Sequence, residues 1–503
     1  MPIPKDILDV ERPKNSIVIA YGKNKDRFAV RTRIGCKNVN GRHVPINGPT
    51  IGHIVNHQFI PIDQDREAQK KTSAATVDIK DWADAQLMYN LSDDLLQQLR
   101  DIYPEKDAER LFVISILRAC HHNLSDCEIQ EAYQNSFLSE MYPGLALSKN
   151  TVSEFLKRIG KAYASIVRFM QNRAKRVNLD HHLLVDGTLK TNDSKVNSLS
   201  DFSYKARLKG ARDISIIFAF DLEEKELICS QCFPGNMLDL TAYSRFISDN
   251  HISQGLIVAD KGFPSSAAHS EFETHPNLHY LNPIKRNSQL IENHRLTHLT
   301  DQLPKHPLVT YAKAKCRGKN KWLYAFRDAE LASQEERGWL EQVSKTSQYS
   351  LEALNKKRKS FGTIVLESDL DMPALTAYEA YSQRWEIELV MRYYKHACGF
   401  TNTREQSDYT VYASEFCDFL ATCITFRLLK RIEQSEELST MPYKKILKAL
   451  QRAKKYRLAG QEWQMVKLGT TGEKVLQLLD LIPKPQEPLK RKPGRPRKVN
   501  PGV

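Results

Sequence analysis

Leu183-Leu184-Val185-Asp186-Gly187-Thr188 and Leu256-Ile257-Val258-Ala259-Asp260-Lys261-Gly262-Phe263 are the stretches on which the fold turns. In each, an apolar run of strand length finishes on an Asp, and a turn glycine follows closely. A short apolar run without polar alternation is what a strand buried on both faces requires. The acid then stands at the edge of a sheet, where open α/β folds bind their ligands. Between the two stretches lie Ile214-Ser215-Ile216-Ile217-Phe218-Ala219-Phe220, a second run over 227–233, and a helical period over 240–248. Two adjacent strands followed by a helical crossover predict a mixed sheet with helices packed on it, hence an α/β class.

Both carboxylates can share one cleft. Oxygen ligands suit a hard cation such as Mg²⁺, and acids held close repel one another unless such a cation neutralises them. Taken alone, each Asp is equally well a turn former or a helix cap. A third stretch, Tyr381-Ser382-Gln383-Arg384-Trp385-Glu386-Ile387-Glu388-Leu389-Val390-Met391-Arg392-Tyr393-Tyr394-Lys395, adds to them. Read as one helix at ~100° per residue, it puts Tyr381, Arg384, Glu388 and Lys395 within about 60° of one another. Ile387, Val390 and Tyr394 fall on the other side, as a core face. The bland reading is a solvated face with an Arg384–Glu388 pair worth ~0.3 kcal/mol. Periodicity alone does not separate the two.

The pattern Tyr-x2-Arg-x3-Glu-x6-Lys, filled by Tyr381, Arg384, Glu388 and Lys395, resembles the signature of DDE transposases of bacterial insertion sequences, in the insertion sequence 4-like group. Asp186-Gly187-Thr188 and Asp260-Lys261-Gly262-Phe263 look like that family's first and second acidic motifs, in order, and the resemblance covers residues 183–404. It implies a ribonuclease H-like mixed-sheet core, with an inserted, mainly β subdomain between the second Asp and the Glu. It also implies two Mg²⁺ ions, with Mn²⁺ able to substitute, held by Asp186, Asp260 and Glu388 for nucleotidyl transfer at phosphodiesters. Tyr381, Arg384 and Lys395 are then DNA-binding, holding phosphates beside the scissile bond. Phe263, just past the second Asp, is a candidate for stacking on an unpaired base. The implied partners are double-stranded DNA, as transposon ends and as target, and a second copy of the chain in the DNA complex. A transposase-derived DNA-binding protein without catalysis and a structure-specific nuclease are the alternatives.

The rest of the chain is read from the residues alone. Residues 1–75 form a small basic β domain and 76–178 a helical region. Within the latter, Val152, Phe155, Leu156, Ile159 and Tyr163 make a helical stripe behind a Thr151/Glu154 capping box, as in a helix-turn-helix or an ordinary core helix. The catalytic domain spans 179–285 and 361–435, the insertion 286–360, and further helices 436–483. The tail, 484–503, contains Lys490-Arg491-Lys492-Pro493-Gly494-Arg495-Pro496-Arg497-Lys498 and resembles an AT-hook. There Lys492, Arg495 and Arg497 are set to enter the minor groove of AT-rich DNA. The charge balance agrees, since 74 Lys and Arg against 60 Asp and Glu leave +14, a surplus that attracts polyanions. With 503 residues and nine scattered cysteines, the chain is no disulfide-stapled toxin, and Cys229-Ser230-Gln231-Cys232 lacks a second pair at zinc spacing. A start without an apolar leader and the absence of any run of ~18 apolar residues predict a cytoplasmic, nucleoid-associated protein with no membrane partner.

Overall fold

The Asp186 strand runs past its acid. In the computed structural model it extends over His182–Thr191, because Gly187, Thr188 and Leu189 continue to pair, antiparallel, with Ile217, Ile216 and Ser215 of the Arg212–Asp221 strand. Asp186 is therefore mid-strand, and the expectation that it closes a strand is corrected. The Asp260 strand does end as expected, at Ala259. The structure describes all residues except 1–2, 23–25, 40–41, 63–76, 122, 193, 204–209, 261–262, 300, 319, 346–349, 393–399, 404 and 485–503.

These strands belong to a mixed ten-stranded sheet. Gln254–Ala259 lies parallel between His182–Thr191 and Asn277–Pro283, and Arg212–Asp221 and Glu226–Pro234 continue the sheet antiparallel on the other side. Leu183, Leu184 and Val185 are at most 1% exposed, as a strand covered on both faces requires. This is the α/β core that the motifs implied. The stretch 286–360 does not stand apart as a mainly β body. Its strands Val309–Lys315 and Trp322–Asp328 join Thr363–Ser368, which pairs with Asn277–Pro283, so they extend the same sheet. Helices Ala329–Ser344 and Leu351–Arg358 follow, over a small core of Ala332, Leu354 and Phe361.

One long helix, Asp408–Glu433, is the hub of this unit and packs on helices Glu105–Cys120 and Lys149–Lys161 and on the Glu226–Pro234 strand. From Thr410 to Thr425 every residue but Tyr412 is buried, the charged Glu415 and Asp418 among them, as in a helix covered on all sides. Lys149–Lys161 carries the stripe read from the sequence, with Val152, Phe155, Leu156 and Ile159 buried and Gly160 against the backbone of Tyr409. Its cap is Ser148, whose hydroxyl accepts from the Thr151 amide, so the helix begins earlier than the Thr151/Glu154 box placed it. Cys229 and Cys232 sit on a strand with pKa values raised by burial, which removes thiolate character from both.

The chain divides into two compact units, residues 80–454 with 467–503, and residues 1–79 with 455–466. In the second of these, strands Ser16–Tyr21, Arg27–Val39, Arg42–Val55 and Gln58–Pro61 form a four-stranded antiparallel sheet in that order. Among the described residues, its buried apolar cluster is Ile7, Val18, Val30 and Ile54.

Candidate active site

Sheet register brings the two Asp residues together. Ala259 pairs in parallel with Val185, so the residue after each, Asp260 and Asp186, leaves at the same level of adjacent strands. Such strands lie ~4.8 Å apart. The third acid arrives from outside the sheet. Helix Ala374–Ser382 ends at a turn over Gln383 and Arg384, and helix Trp385–Arg392 restarts and packs on the His182–Thr191 strand, with Ile387 fully buried. The single helix expected over 381–395 is thus two helices with a break. Tyr381 lies in the last turn of the first, Arg384 in the turn, and Glu388 in the second. The break does not disperse the set. The Arg384 guanidinium donates to Glu388 Oε1 at 3.1 Å and stands 5.7 Å from the Tyr381 ring centroid.

Asp186 is half-buried, and one of its oxygens accepts from the Gly187 amide at 2.8 Å. Its pKa is pushed up to about 6, first by burial and then by the nearby charges of Asp260 and Glu388, against the opposing pull of the Gly187 amide and Arg384. Burial also raises the pKa of Tyr381, which keeps it a neutral donor. At Arg384 burial disfavours the charge, but Tyr381, Asp260, Glu388 and Asp186 outweigh it and raise its pKa. Arg384 is therefore a fixed cation facing three acids. Three carboxylates facing one cation among the described residues make an all-oxygen, electron-rich donor set, which suits a hard divalent ion.

A cavity of about 80 Å³ opens beside Asp186 and Asp260, lined also by Thr188, Ser215, Asp239 and Phe263. Asp239, in the first turn of helix Asp239–Asp249, was missed by the sequence reading; an acid at the start of the helical period, three residues after the Gly235-Asn236 turn, was the available signal. Phe263 is 4% exposed, with its ring 5.2 Å from Tyr243, so it is core and not free to stack on a base. It nonetheless shapes the site. A Cβ on Gly187 would come within 3.2 Å of the Phe263 ring, which is why the residue after the first acid is small. Lys395 and the tail residues Lys492, Arg495 and Arg497 lie outside the described residues.

Among the described residues, the ligand atoms of Asp186, Asp260 and Glu388 do not all approach within 4.8 Å of one another; His181, Asp221 and Glu223 do. There, however, both His181 ring nitrogens are engaged, Nδ1 with Asp221 at 2.7 Å and Nε2 with Asn178 at 3.1 Å. That group reads as a hydrogen-bonded brace at the start of the Asp186 strand.

Among the described residues, no helix is long and apolar enough to cross a membrane. No curated protein matches this chain. Residues 178–410, just under half of the chain, match the family model described as the transposase DDE domain, a match that takes in Asp186, Asp260, Tyr381, Arg384 and Glu388 and supports a DDE transposase acting on DNA.

Proposed function

We propose that this chain is the transposase of an insertion sequence of the 4-like group, which binds the ends of its element and catalyses Mg²⁺-dependent cleavage and strand transfer of DNA. The observation that carries this reading is the convergence of Asp186, Asp260 and Glu388, from two strands and a helix, around the cation of Arg384. When bound by the three acids, Mg²⁺ would activate an oxygen nucleophile and stabilise the leaving oxygen. The chain's own residues do the rest. Arg384 holds a phosphate oxygen with a charge that stays on at every working pH. Tyr381 packs on the guanidinium and donates its hydroxyl proton to the backbone of the bound strand. Lys395 adds a second phosphate contact, and Lys492, Arg495 and Arg497 hold AT-rich duplex through the minor groove. Two copies of the chain act together on paired ends.

The test uses linear DNA carrying the element's terminal repeats. Wild type with Mg²⁺ or Mn²⁺ cuts at the repeat boundary and joins the freed 3′ end to a second duplex. Cutting without joining would replace the transposase by a structure-specific nuclease. Binding without cutting would leave a DNA-binding protein of transposase descent.

A further inference from the structure

Outside the catalytic unit, the feature that asks for a partner is the long hairpin of residues 27–55. Arg27–Val39 and Arg42–Val55 pair along most of their length, from Phe28↔Ile54 to Val39↔Arg42. Their flanking strands cover only the base. Ser16–Tyr21 stops pairing at Thr32, and Gln58–Pro61 reaches only Gly52. From Arg33 to Val39 the structure is a two-stranded ribbon with no third strand among the described residues, about 23 Å long at ~3.3 Å per residue. The buried cluster of Ile7, Val18, Val30 and Ile54 lies at the base, and among the described ribbon side chains Ile34 and Ile46 are exposed. A ribbon of this kind is marginal alone and a template for unwanted pairing, and basic side chains and bulges are how such edges are kept apart. This one has both, with register shifts between Val30 and Gly35.

Its charge is one-signed. Residues 27–55 contain Arg27, Arg31, Arg33, Lys37 and Arg42 and no Asp or Glu, so five bases against zero acids give +5 of the chain's +14. Arg27, Arg31 and Arg33 are exposed, and none of the three takes part in an ion pair shown by the structure, although Arg31 Nε donates to Thr50 at 3.1 Å. Solubility is served by mixed charge; a protruding ribbon of one sign is a complement to a polyanion. The shape also fits, because the major groove of B-DNA admits a two-stranded β-ribbon.

We infer that this hairpin is an arm that grips duplex DNA, with Arg27 and Arg31 at its base and Arg33 at the root of the ribbon on the phosphates. The inference rests on the reading that DNA is the substrate, and it names a contact remote in sequence from the three acids. The test is the affinity of the full chain for duplex DNA across a salt series, using the triple variant Arg27→Gln, Arg31→Gln, Arg33→Gln. A control, Lys444→Gln, Lys445→Gln, Lys448→Gln, makes the same charge change on the exposed face of helix Tyr443–Arg452. The ribbon variant flattens the slope of log K against log salt by about two to three and weakens binding at least ~tenfold near physiological salt. The Lys variant leaves both nearly unchanged. Equal losses in the two variants, or none in the ribbon variant, overturn the arm.

Wild type supplies a second readout that needs no substitution. Cys36 lies exposed on the ribbon, and Cys127, also exposed, is an internal reference. Duplex DNA slows alkylation of Cys36 relative to Cys127, and an unchanged ratio overturns the proposal. Cleavage is scored separately. A wild type that protects Cys36 but never cuts keeps the arm and loses the transposase reading, and one that cuts with Cys36 unprotected does the reverse.

Discussion

Two groups of carboxylates meet the same strand four positions apart, one at Asp186 and one at Lys190, and the chain treats them oppositely. At the second, Lys190 is 2% exposed, and its ammonium donates to Glu415 Oε1 and Asp418 Oδ2, each at 2.6 Å. Arg118 completes the set, donating to Asp418 Oδ1 at 2.6 Å and to Asp126 at 2.9 Å. Burial disfavours both cations, yet their acids hold the pKa of each above its ordinary value. Glu415, Asp418 and Asp126 each have a hydrogen-bonded cation supplied by the chain. At the first group, Arg384 is the cation that faces the three acids among the described residues, and burial and mutual repulsion push Asp186 up to about 6. Buried acids that exist for architecture are neutralised from within. Those left short of positive charge are set for a cation from solution.

The sharpest way to break this contrast is to remove the acids one by one. Asp186→Ala, Asp260→Ala and Glu388→Ala each lower cleavage of terminal-repeat DNA by about 10³-fold or more, while binding to the ends stays within about threefold, since these groups would hold metal and not DNA. Single-turnover cleavage and a binding titration on the same substrate measure the two. A variant that keeps a tenth of wild-type cleavage removes its residue from the site.

The internally neutralised group makes the converse prediction. Lys190→Met leaves Glu415 and Asp418 buried with one cation fewer, a change that costs about 3–5 kcal/mol. Chemical denaturation reads the loss directly. Asp186→Asn causes no such loss, because it relieves repulsion at a half-exposed position. If the two variants were equally destabilised, the distinction between structural and functional acids would collapse.

Arg384 lies between these extremes, a cation in the acid-rich group. Arg384→Ala reduces cleavage by about 10- to 100-fold and overall affinity by much less, because many other bases share the binding while Arg384 faces the three acids. Arg384→Lys recovers part of the rate, keeping the charge but not the planar fork. Equal losses in affinity and cleavage would demote the turn at 383–384 to an ordinary contact surface.

The acids were legible in the sequence for a definite reason. Leu256 to Ala259 is an uninterrupted apolar run, and its break at Asp260 is a local signal that survives without tertiary context. Asp186 was found by the same signal but misplaced relative to its strand, because Thr188 and Lys190 look like a strand's end when the partners that bury them are unknown. Lys190 reads as a solvent residue; only Glu415 and Asp418, far along the chain, make it a core residue. The break at Gln383 was equally hidden, since no Gly or Pro marks it and a 3.6-residue period runs through it unchanged. The ribbon escaped because alternation shows where strands lie but not how far they outrun their neighbours.

The smallest expected effect bears on the contrast directly, through stability in the absence of DNA. If the Asp186 group lacks a cation that solution supplies, Mg²⁺ or Mn²⁺ binds the folded chain and not the unfolded one, and so raises its melting temperature. At a metal concentration about 100-fold above the dissociation constant the gain is ~2.7 kcal/mol. For a unit of this size that corresponds to a few degrees. Asp186→Asn behaves differently at both ends. Without metal it melts at or above wild type, because one of three mutually repelling charges is gone; with metal it gains little, because a ligand is gone too. Lys190→Met melts lower throughout but still responds to metal as wild type does, since its acids are not the ones left short. The crossed pattern, in which one variant loses the metal response and the other only baseline stability, is what the two carboxylate groups require. A metal response retained in Asp186→Asn would place the ion elsewhere, with His181, Asp221 and Glu223 the next site to substitute.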